Sequence, residues 1–124
     1  MSEISEKLLA QRLRNRIMEV LSGYACNEDW ELLGPDEMIN LWEDFVDEGR
    51  ITIYIEPVFT KEERSNLLAF HMLWLQYCES TPKNMPPFKE IKATLEWKKL
   101  QNEAIKLLEL FELRGKLDEE IEIT

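Results

Sequence analysis

The chain has 124 residues, of which 44% are hydrophobic and 32% are charged, and its formal net charge is -10. This length and apolar content predict a single domain over residues 1–124, with one core that needs no disulfide or metal. The apolar content also excludes a disordered chain, in spite of the high charge. No apolar run reaches the roughly 18 residues of a membrane span and the N-terminus has no hydrophobic signal core, so we expect a cytoplasmic protein.

The negative charge is concentrated in one block of the sequence. Residues 17–49 contain no Lys or Arg, and the 15 acidic residues outside this block match the 15 basic ones, so the block carries the whole net charge. Its ten carboxylates are those of Glu19, Glu28, Asp29, Glu31, Asp36, Glu37, Glu43, Asp44, Asp47 and Glu48. Such a block increases solubility or attracts a cationic partner, while its self-repulsion lowers stability.

The N-terminal part of the chain has the apolar spacing of a helix. A first helix is predicted over residues 3–22, with Ser2 as its N-cap and Gly23 as the glycine that ends it. A single helical turn follows over residues 27–33, with Asn27 as its cap.

The next helix is predicted over residues 35–48 and has two chemically opposed faces. On a helical wheel its apolar residues fall within an arc of about 160°, and its carboxylates within the opposite arc of about 140°. Trp42 and Phe45 are therefore expected in the core, and the carboxylates form an exposed acidic ridge. Asp47 and Glu48 lie at the C-terminal end, where the helix dipole disfavours anions, so stability alone does not account for them.

Two segments alternate apolar and polar residues with the period of a strand, at residues 50–55 and at residues 119–124. We expect them to pair as a minimal two-stranded β element. Because two strands alone are marginally stable, this element would lie on the helices. A homodimer would be another way to supply the partner strand.

Two further long helices are expected. Thr60 and Glu63 have the spacing of a capping box, so a helix is predicted from there to about Ser80. Its nearly all-round apolar surface is typical of a central buried helix. After a proline-rich break, a helical pattern with a kink runs from Phe88 to Arg114. The predicted fold is therefore mainly α, a bundle of about four main helices with the small β element.

The sequence has no pattern typical of an active site or a metal site. His71, the only histidine, lies on an apolar helical face, and Cys78 is too far along the helix to be activated by it. Cys26 and Cys78 lack a CxxC spacing and are expected to be reduced thiols. No Gly-rich phosphate loop or His-containing ligand set is present. We therefore predict no enzyme activity, no catalytic or metal-binding residue and no cofactor.

The basic residues form one cluster, at Arg12, Arg14 and Arg16 of the first predicted helix. Three arginines in so acidic a chain are too few to bind nucleic acid by neutralising its phosphates. We therefore expect neither direct nucleic-acid binding nor a membrane partner.

The function class that remains is a binding protein. Carboxylates speed the encounter with a basic protein, and an aromatic side chain among them supplies a strong contact. The expected partner-binding residues are Glu28, Asp29, Trp30, Glu31, Asp36, Glu37, Glu43, Asp44, Asp47 and Glu48. Alternatives are a DNA mimic, an enzyme using one of the cysteines, or a structural or adaptor protein, monomer or homodimer, whose acidic face is merely solvated.

The stretches DEMINLWEDFV and PVFTKEERSNLLAFHMLW mark the two ends of a segment, residues 36–74, that makes up about a third of the chain. They resemble small uncharacterised bacterial proteins, and the size and acidity of the chain are similar to those of immunity proteins that neutralise polymorphic or contact-dependent toxins. The resemblance implies a non-enzymatic inhibitor, of immunity or antitoxin type, that covers a basic surface of a cognate toxin domain. Immunity proteins share no common motif, so the resemblance assigns no site residue.

Overall fold

The computed structural model describes residues 5–46, 54, 56–80 and 86–123. Within these residues the chain forms six helices. They are α1 (Glu6–Tyr24), α2 (Asn27–Leu33), α3 (Pro35–Phe45), α4 (Lys61–Ser80), α5 (Phe88–Ile91) and α6 (Leu95–Glu112). Four of them are long, and α1 packs against α2, α3 and α6 while α4 packs on α6. The predicted class, mainly α with about four main helices, is confirmed.

The first helix has a different N-cap from the one predicted, and the second has the predicted range, residues 27–33, but a different cap. The N-cap of α1 is Ser5, whose Oγ accepts a hydrogen bond from the Leu8 backbone N–H at 3.1 Å. The predicted cap, Ser2, lies outside the described residues. Asn27 is the first residue of α2, and the capping position before it is taken by Cys26. Helix boundaries are thus set by local hydrogen bonds that periodicity does not resolve.

Gly23 does not end α1, which continues to Tyr24. A Cβ atom at this position would lie 3.3 Å from Asp29 Oδ2 and 3.3 Å from Met38 Cε. Because both contacts would be tight, glycine here allows α1 to lie close to α2 and α3. The left-handed backbone that favours glycine occurs instead at Gly34, whose φ of 86° turns the chain from α2 into α3.

The centre of the core is aromatic. The ring of Tyr24 lies 5.2 Å from that of Trp30, 6.1 Å from that of Trp42 and 6.3 Å from that of Phe70, measured between centroids. Its hydroxyl donates a hydrogen bond to the Met38 carbonyl at 2.7 Å, so the buried polar atom is satisfied. These contacts join α1, α2, α3 and α4.

Helix α4 begins with the predicted capping box. The Thr60 N–H donates to Glu63 Oε1 at 3.1 Å, and the Glu63 N–H donates to Thr60 Oγ1 at 3.0 Å. The prediction that this helix is the central buried one is wrong, since Leu68 is 42% and Met72 is 45% exposed. The central place is taken by α1, because it packs against three other helices.

The helical pattern predicted from Phe88 onward is divided in two. Helix α5 ends at Ile91, and α6 begins at Leu95 because Thr94 caps it, its Oγ1 accepting a hydrogen bond from the Trp97 N–H at 3.3 Å. The kink expected in this region is therefore a break with its own cap.

The predicted β element is not formed by the described part of the tail. Residues 50–53, 55 and 124 lie outside the described residues, and residues 119–123 form bends and irregular chain. The tail backbone is bound by a side chain of α1 instead of a strand. Gln11 donates to the Ile121 carbonyl at 2.8 Å and accepts from the Ile123 N–H at 2.9 Å. The segment turns at residues 118–121 and leaves Ile121 68% exposed, so alternation over so few residues did not identify a strand.

Candidate protein-binding face

Helices α2 and α3, which pack against each other, carry most of the predicted carboxylates at exposed positions. Met38 and Trp42, on the opposite side of α3, are 1% and 0% exposed. The opposed faces predicted for this helix are therefore confirmed as far as the described residues extend. Asp29 is half-buried, and Asp47 and Glu48 lie outside the described residues. The exposed residues, called the acidic face below, are Glu28, Glu31, Asp36, Glu37, Glu43 and Asp44.

Few of these charges are neutralised within the described ranges, 5–46, 54, 56–80 and 86–123. Glu31 lies 3.8 Å from the Lys92 ammonium, and both side chains are about half exposed. A surface pair of this kind contributes about 0–1 kcal/mol. In the same ranges no ion pair involves Glu28, Asp36, Glu37 or Glu43. The field of the acidic face therefore extends into solvent, where it can act on an approaching cation.

Helix stability accounts for some of these carboxylates and not for others. Asp36 and Glu37 lie in the first turn of α3, and Glu28 in the first turn of α2, where each stabilises the helix by about 0.3–1 kcal/mol. Glu43 and Asp44 lie at the other end of α3, whose last turn has no basic residue. Because the dipole opposes anions there, these two have no stabilising role in the helix.

Trp30 is not part of the exposed surface, and its predicted role as an aromatic contact for a partner is wrong. Its side chain is 1% exposed. The indole stacks on Phe88 at 5.8 Å, meets Trp97 edge-on at 5.8 Å, and donates through Nε1 to the Tyr24 carbonyl at 3.3 Å. The tryptophan thus anchors α2 to the core, because its ring and its polar atom both find partners inside.

Leucines are the exposed apolar residues beside the acidic face. Leu32 is 83% and Leu33 is 48% exposed, since the short α2 buries only Trp30. Leu33 borders an open groove of about 210 Å³ lined by α1, α2 and α3, whose charged residues are Arg16, Glu19 and Asp29. Its apolar lining comes from Val20, Leu33, Met38, Leu41 and Phe45. The exposure of these leucines could have been inferred from the shortness of α2, because so short a helix leaves its C-terminal residues outside the core.

The thiols and the histidine occupy packed positions. Burial raises the pKa of Cys78 to about 11, and the nearby Glu43 carboxylate adds to the rise. The Cys78 thiol is therefore protonated at neutral pH, whereas a nucleophilic cysteine needs a lowered pKa. His71 is 3% exposed and accepts a hydrogen bond at Nδ1 from Trp42 Nε1 at 3.2 Å, as predicted for a core histidine. Both cysteines, Cys26 and Cys78, are thiols.

A buried ion cluster ties α1, α4 and the end of α6 together. Glu63 receives Arg14 Nη2 at 2.9 Å on one oxygen and Arg114 Nη2 at 2.6 Å on the other. Burial acts to raise the pKa of Glu63, but hydrogen bonds from Arg114, from Arg14 and from a backbone N–H outweigh it and hold the pKa below its ordinary value. Sequence reasoning missed this cluster, because its members are far apart in the chain and have no fixed spacing.

The basic cluster of the sequence is used inside the molecule. Arg14 is 0% exposed. Arg12 donates to the Glu119 carbonyl at 2.8 Å, and Arg16 pairs with Glu19 at 2.6 Å and with Glu119 at 2.7 Å. All three guanidinium groups thus have partners within the chain.

Within the part of the chain that the structure describes, no group of three or more His, Cys, Asp or Glu side chains could hold a metal ion. None of the described helices combines the length and the apolar character needed to cross a bilayer. Comparison of the chain with models of protein families, with curated proteins and with solved structures finds no match. The class that the fold and the surface define is a helical bundle with one acidic, leucine-bearing side.

Proposed function

We propose that the chain is a non-enzymatic, cytoplasmic binding protein whose acidic face covers a basic surface of a partner protein. The mode of action is that of an immunity protein or antitoxin, which inhibits a cognate toxin by occupying its basic active surface. The observation that carries the proposal is the exposure of four carboxylates on two adjoining helices. These carboxylates, which form no ion pair with any residue that the structure describes, are those of Glu28, Asp36, Glu37 and Glu43. Unneutralised surface charge of one sign accelerates association with the opposite sign and orients the encounter.

Affinity in such a complex depends mainly on the apolar contacts. Exposed charges at the rim of an interface change the association rate more than the affinity. Burying Leu32 and Leu33 would contribute up to about 1.5–3 kcal/mol for each side chain. The groove next to Leu33 gives an apolar side chain of the partner a place between α1 and α3. The acidic face therefore raises the association rate and orients the partner, and the leucines slow the dissociation of the complex.

The size and acidity of the chain, which are similar to those of immunity proteins, support the same proposal. Because immunity proteins share no common motif, this resemblance assigns no site residue. The acidic face is assigned from the exposure of its carboxylates alone.

The test uses as its probe the C-terminal domain of the protein encoded directly upstream, the position where a toxin is expected. The face variant carries Glu28→Lys, Glu37→Lys and Glu43→Lys. The control variant carries Glu90→Lys, Glu109→Lys and Glu112→Lys, three exposed glutamates of α5 and α6 with the same total change in charge. Affinity and association rate are measured at low and at physiological salt.

The proposal predicts that the face variant loses at least about tenfold in affinity, because attraction is replaced by repulsion, whereas the control stays within about threefold. The association rate of the wild-type chain should fall as salt rises. Equal losses in both variants would mean that only net charge matters. Absence of binding by the wild-type chain would contradict the proposal.

A structural or adaptor protein, monomer or homodimer, with a merely solvated acidic face is the second candidate. The observation in its favour is that Glu28, Asp36 and Glu37 already have a role in the first turns of their helices. This candidate predicts that neither variant changes any association of the chain. Sedimentation of the two variants beside the wild-type chain separates the alternatives.

A further inference from the structure

The described end of the tail lies on α1, where it turns at residues 118–121 because Asp118 Oδ1 accepts hydrogen bonds from the Glu120 and Ile121 N–H groups. Two carboxamides of α1 bind it there. Asn15 accepts from the Leu117 N–H at 2.9 Å and donates to the Leu117 carbonyl at 2.8 Å. One helical turn earlier, Gln11 accepts from the Ile123 N–H at 2.9 Å and donates to the Ile121 carbonyl at 2.8 Å. Both carboxamides are covered by the tail, at 0% and 1% exposure. The two side chains therefore bind backbone groups of the tail, and Asn15 also donates to the Glu119 carboxylate at 3.0 Å.

The same face of α1 also binds the carboxylates of the tail. Arg16 contacts the Glu119 carboxylate at 2.7 Å, while the Arg12 Nε donates to the Glu119 carbonyl at 2.8 Å. Ser5, the N-cap of α1, donates its hydroxyl hydrogen bond to the Glu122 carboxylate. Backbone contacts from Gln11 and Asn15 thus alternate with contacts that select acidic side chains.

The polar contacts of the tail are made with one helix. Every hydrogen bond and ion pair described for residues 117–123 joins the tail to α1, to its N-cap Ser5 or to itself. The chain enters the segment through Gly115, whose φ of 74° marks a turn after α6. Ile121 is 68% exposed, while Leu117 and Ile123 are partly buried against the core. Release of the tail therefore breaks its bonds to α1 and the packing of these two side chains, and no hydrogen bond between the other helices.

We propose that this face of α1 is a binding site for an acidic peptide that turns as residues 118–121 do, and that it accepts the tail of a second copy of the chain in place of its own. The argument for this occupant is that residues 117–123 already match each group of the site, in backbone direction and in charge. The same segment supplied by another molecule makes the same contacts. In the wild-type chain the attached tail occupies the site at high effective concentration and excludes competitors.

The test mixes two complementary full-length variants. Glu119→Lys replaces the carboxylate beside Arg16 and weakens the tail, but leaves the α1 face intact. Asn15→Ala removes a carboxamide from the face, but leaves the tail intact. The proposal predicts that an equimolar mixture forms a heterodimer in sedimentation, by docking the second variant's tail on the first, at concentrations where each variant alone is monomeric. No more association in the mixture than in the separate samples would overturn it.

A labelled peptide with the sequence KLDEEIEIT, residues 116–124, serves as a second probe. It should bind the Glu119→Lys chain at least about tenfold more tightly than the wild-type chain, in which the attached tail competes. A scrambled peptide of the same composition keeps the backbone but misplaces the carboxylates that contact Arg16 and Ser5, so it should bind at least about tenfold more weakly. Equal binding of the scrambled peptide would overturn the proposed selection of this acidic segment.

Both variants are first compared with the wild-type chain by far-UV circular dichroism. If Asn15→Ala does not fold, Gln11→Ala takes its place in the mixture. Peptide binding without heterodimer formation would overturn the assignment of a second copy as the ligand.

Discussion

Two charged regions of the molecule differ in whether their carboxylates are paired with cationic side chains of the same chain. In the buried cluster, the Glu63 side chain is 3% exposed and is shared by Arg14 and Arg114. On the acidic face, Glu37 and Glu43 are exposed and make no ion pair with any residue that the structure describes. A buried carboxylate must be neutralised by its own chain, whereas an exposed one is hydrated and remains available to another molecule.

Charged residues therefore have two separate roles in this chain. Removing one partner of a buried pair costs about 3–5 kcal/mol, because the other charge stays buried. A surface substitution usually changes stability by less than about 0.5 kcal/mol. The buried cluster should therefore control folding, and the acidic face should control association.

The largest effect is expected when the buried cluster loses its carboxylate. Glu63→Gln keeps a side chain that can complete the capping box but leaves Arg14, at 0% exposure, without its counter-ion. We expect the free energy of unfolding to fall by about 3–5 kcal/mol, measured by urea denaturation. Glu62→Gln, at the exposed neighbouring position in the first turn of α4, is the control and should change it by less than about 1 kcal/mol. A loss below about 1 kcal/mol in Glu63→Gln would contradict the importance of the cluster.

The same cluster should give the chain part of its sensitivity to acid. Hydrogen bonds hold the pKa of Glu63 below its ordinary value in the folded chain. Its contribution to stability is therefore complete above the unfolded pKa of about 4.3 and is lost as the pH falls through the lower folded pKa. Unfolding free energies of the wild-type chain and of Glu63→Gln, measured from neutral to acid pH, should converge at low pH. A difference that does not change with pH would disagree with this account.

A smaller effect on stability is expected from the acidic face. Glu37→Lys removes a favourable charge from the first turn of α3, while Glu43→Lys removes an unfavourable one near its end. The two changes oppose each other, so the double variant should unfold within about 1 kcal/mol of the wild-type chain. Thermal unfolding followed by circular dichroism measures this. A drop as large as that of Glu63→Gln would remove the distinction between the two regions.

The smallest expected effect is the influence of Glu43, a carboxylate of the acidic face, on the pKa of the Cys78 thiol. Burial first, and then Glu43, raise the pKa of Cys78 to about 11. Glu43→Lys should therefore lower the pKa of Cys78 and increase its alkylation by iodoacetamide at mildly alkaline pH, by roughly twofold. Glu28→Lys, on α2, provides a control with the same change in charge. An unchanged rate in Glu43→Lys would mean that solvent screens this carboxylate at the thiol.

The features that the sequence predicted correctly depend on neighbouring residues. The opposed faces of α3 follow from a helical period over a few turns, which places Trp42 inside and Glu43 outside. The capping box of Thr60 and Glu63 follows from a spacing of three residues. In both cases the pattern and its physical cause lie within one helix.

The features that the sequence did not predict depend on distant residues. The burial of Trp30 is decided by Phe88 and Trp97, which reach it from α5 and α6. The ion pair of Arg14 with Glu63 joins residues 49 positions apart. The carboxylates around Trp30 in the sequence suggested that its side chain lies on the surface. In a helix as short as α2, however, the rest of the core decides which side chains are covered. Here the core covers Trp30 and leaves Leu32 and Leu33 exposed.

The most direct test of the proposed function is a map of where the partner binds. An isotope-labelled chain is titrated with the C-terminal domain of the protein encoded directly upstream, and amide chemical shifts are followed by NMR. The account predicts that the largest shifts occur at Leu32, Leu33, Glu37 and Glu43, and that they shrink as salt is added. Shifts confined to the exposed sides of α4 and α6, with α2 and α3 unchanged, would contradict it.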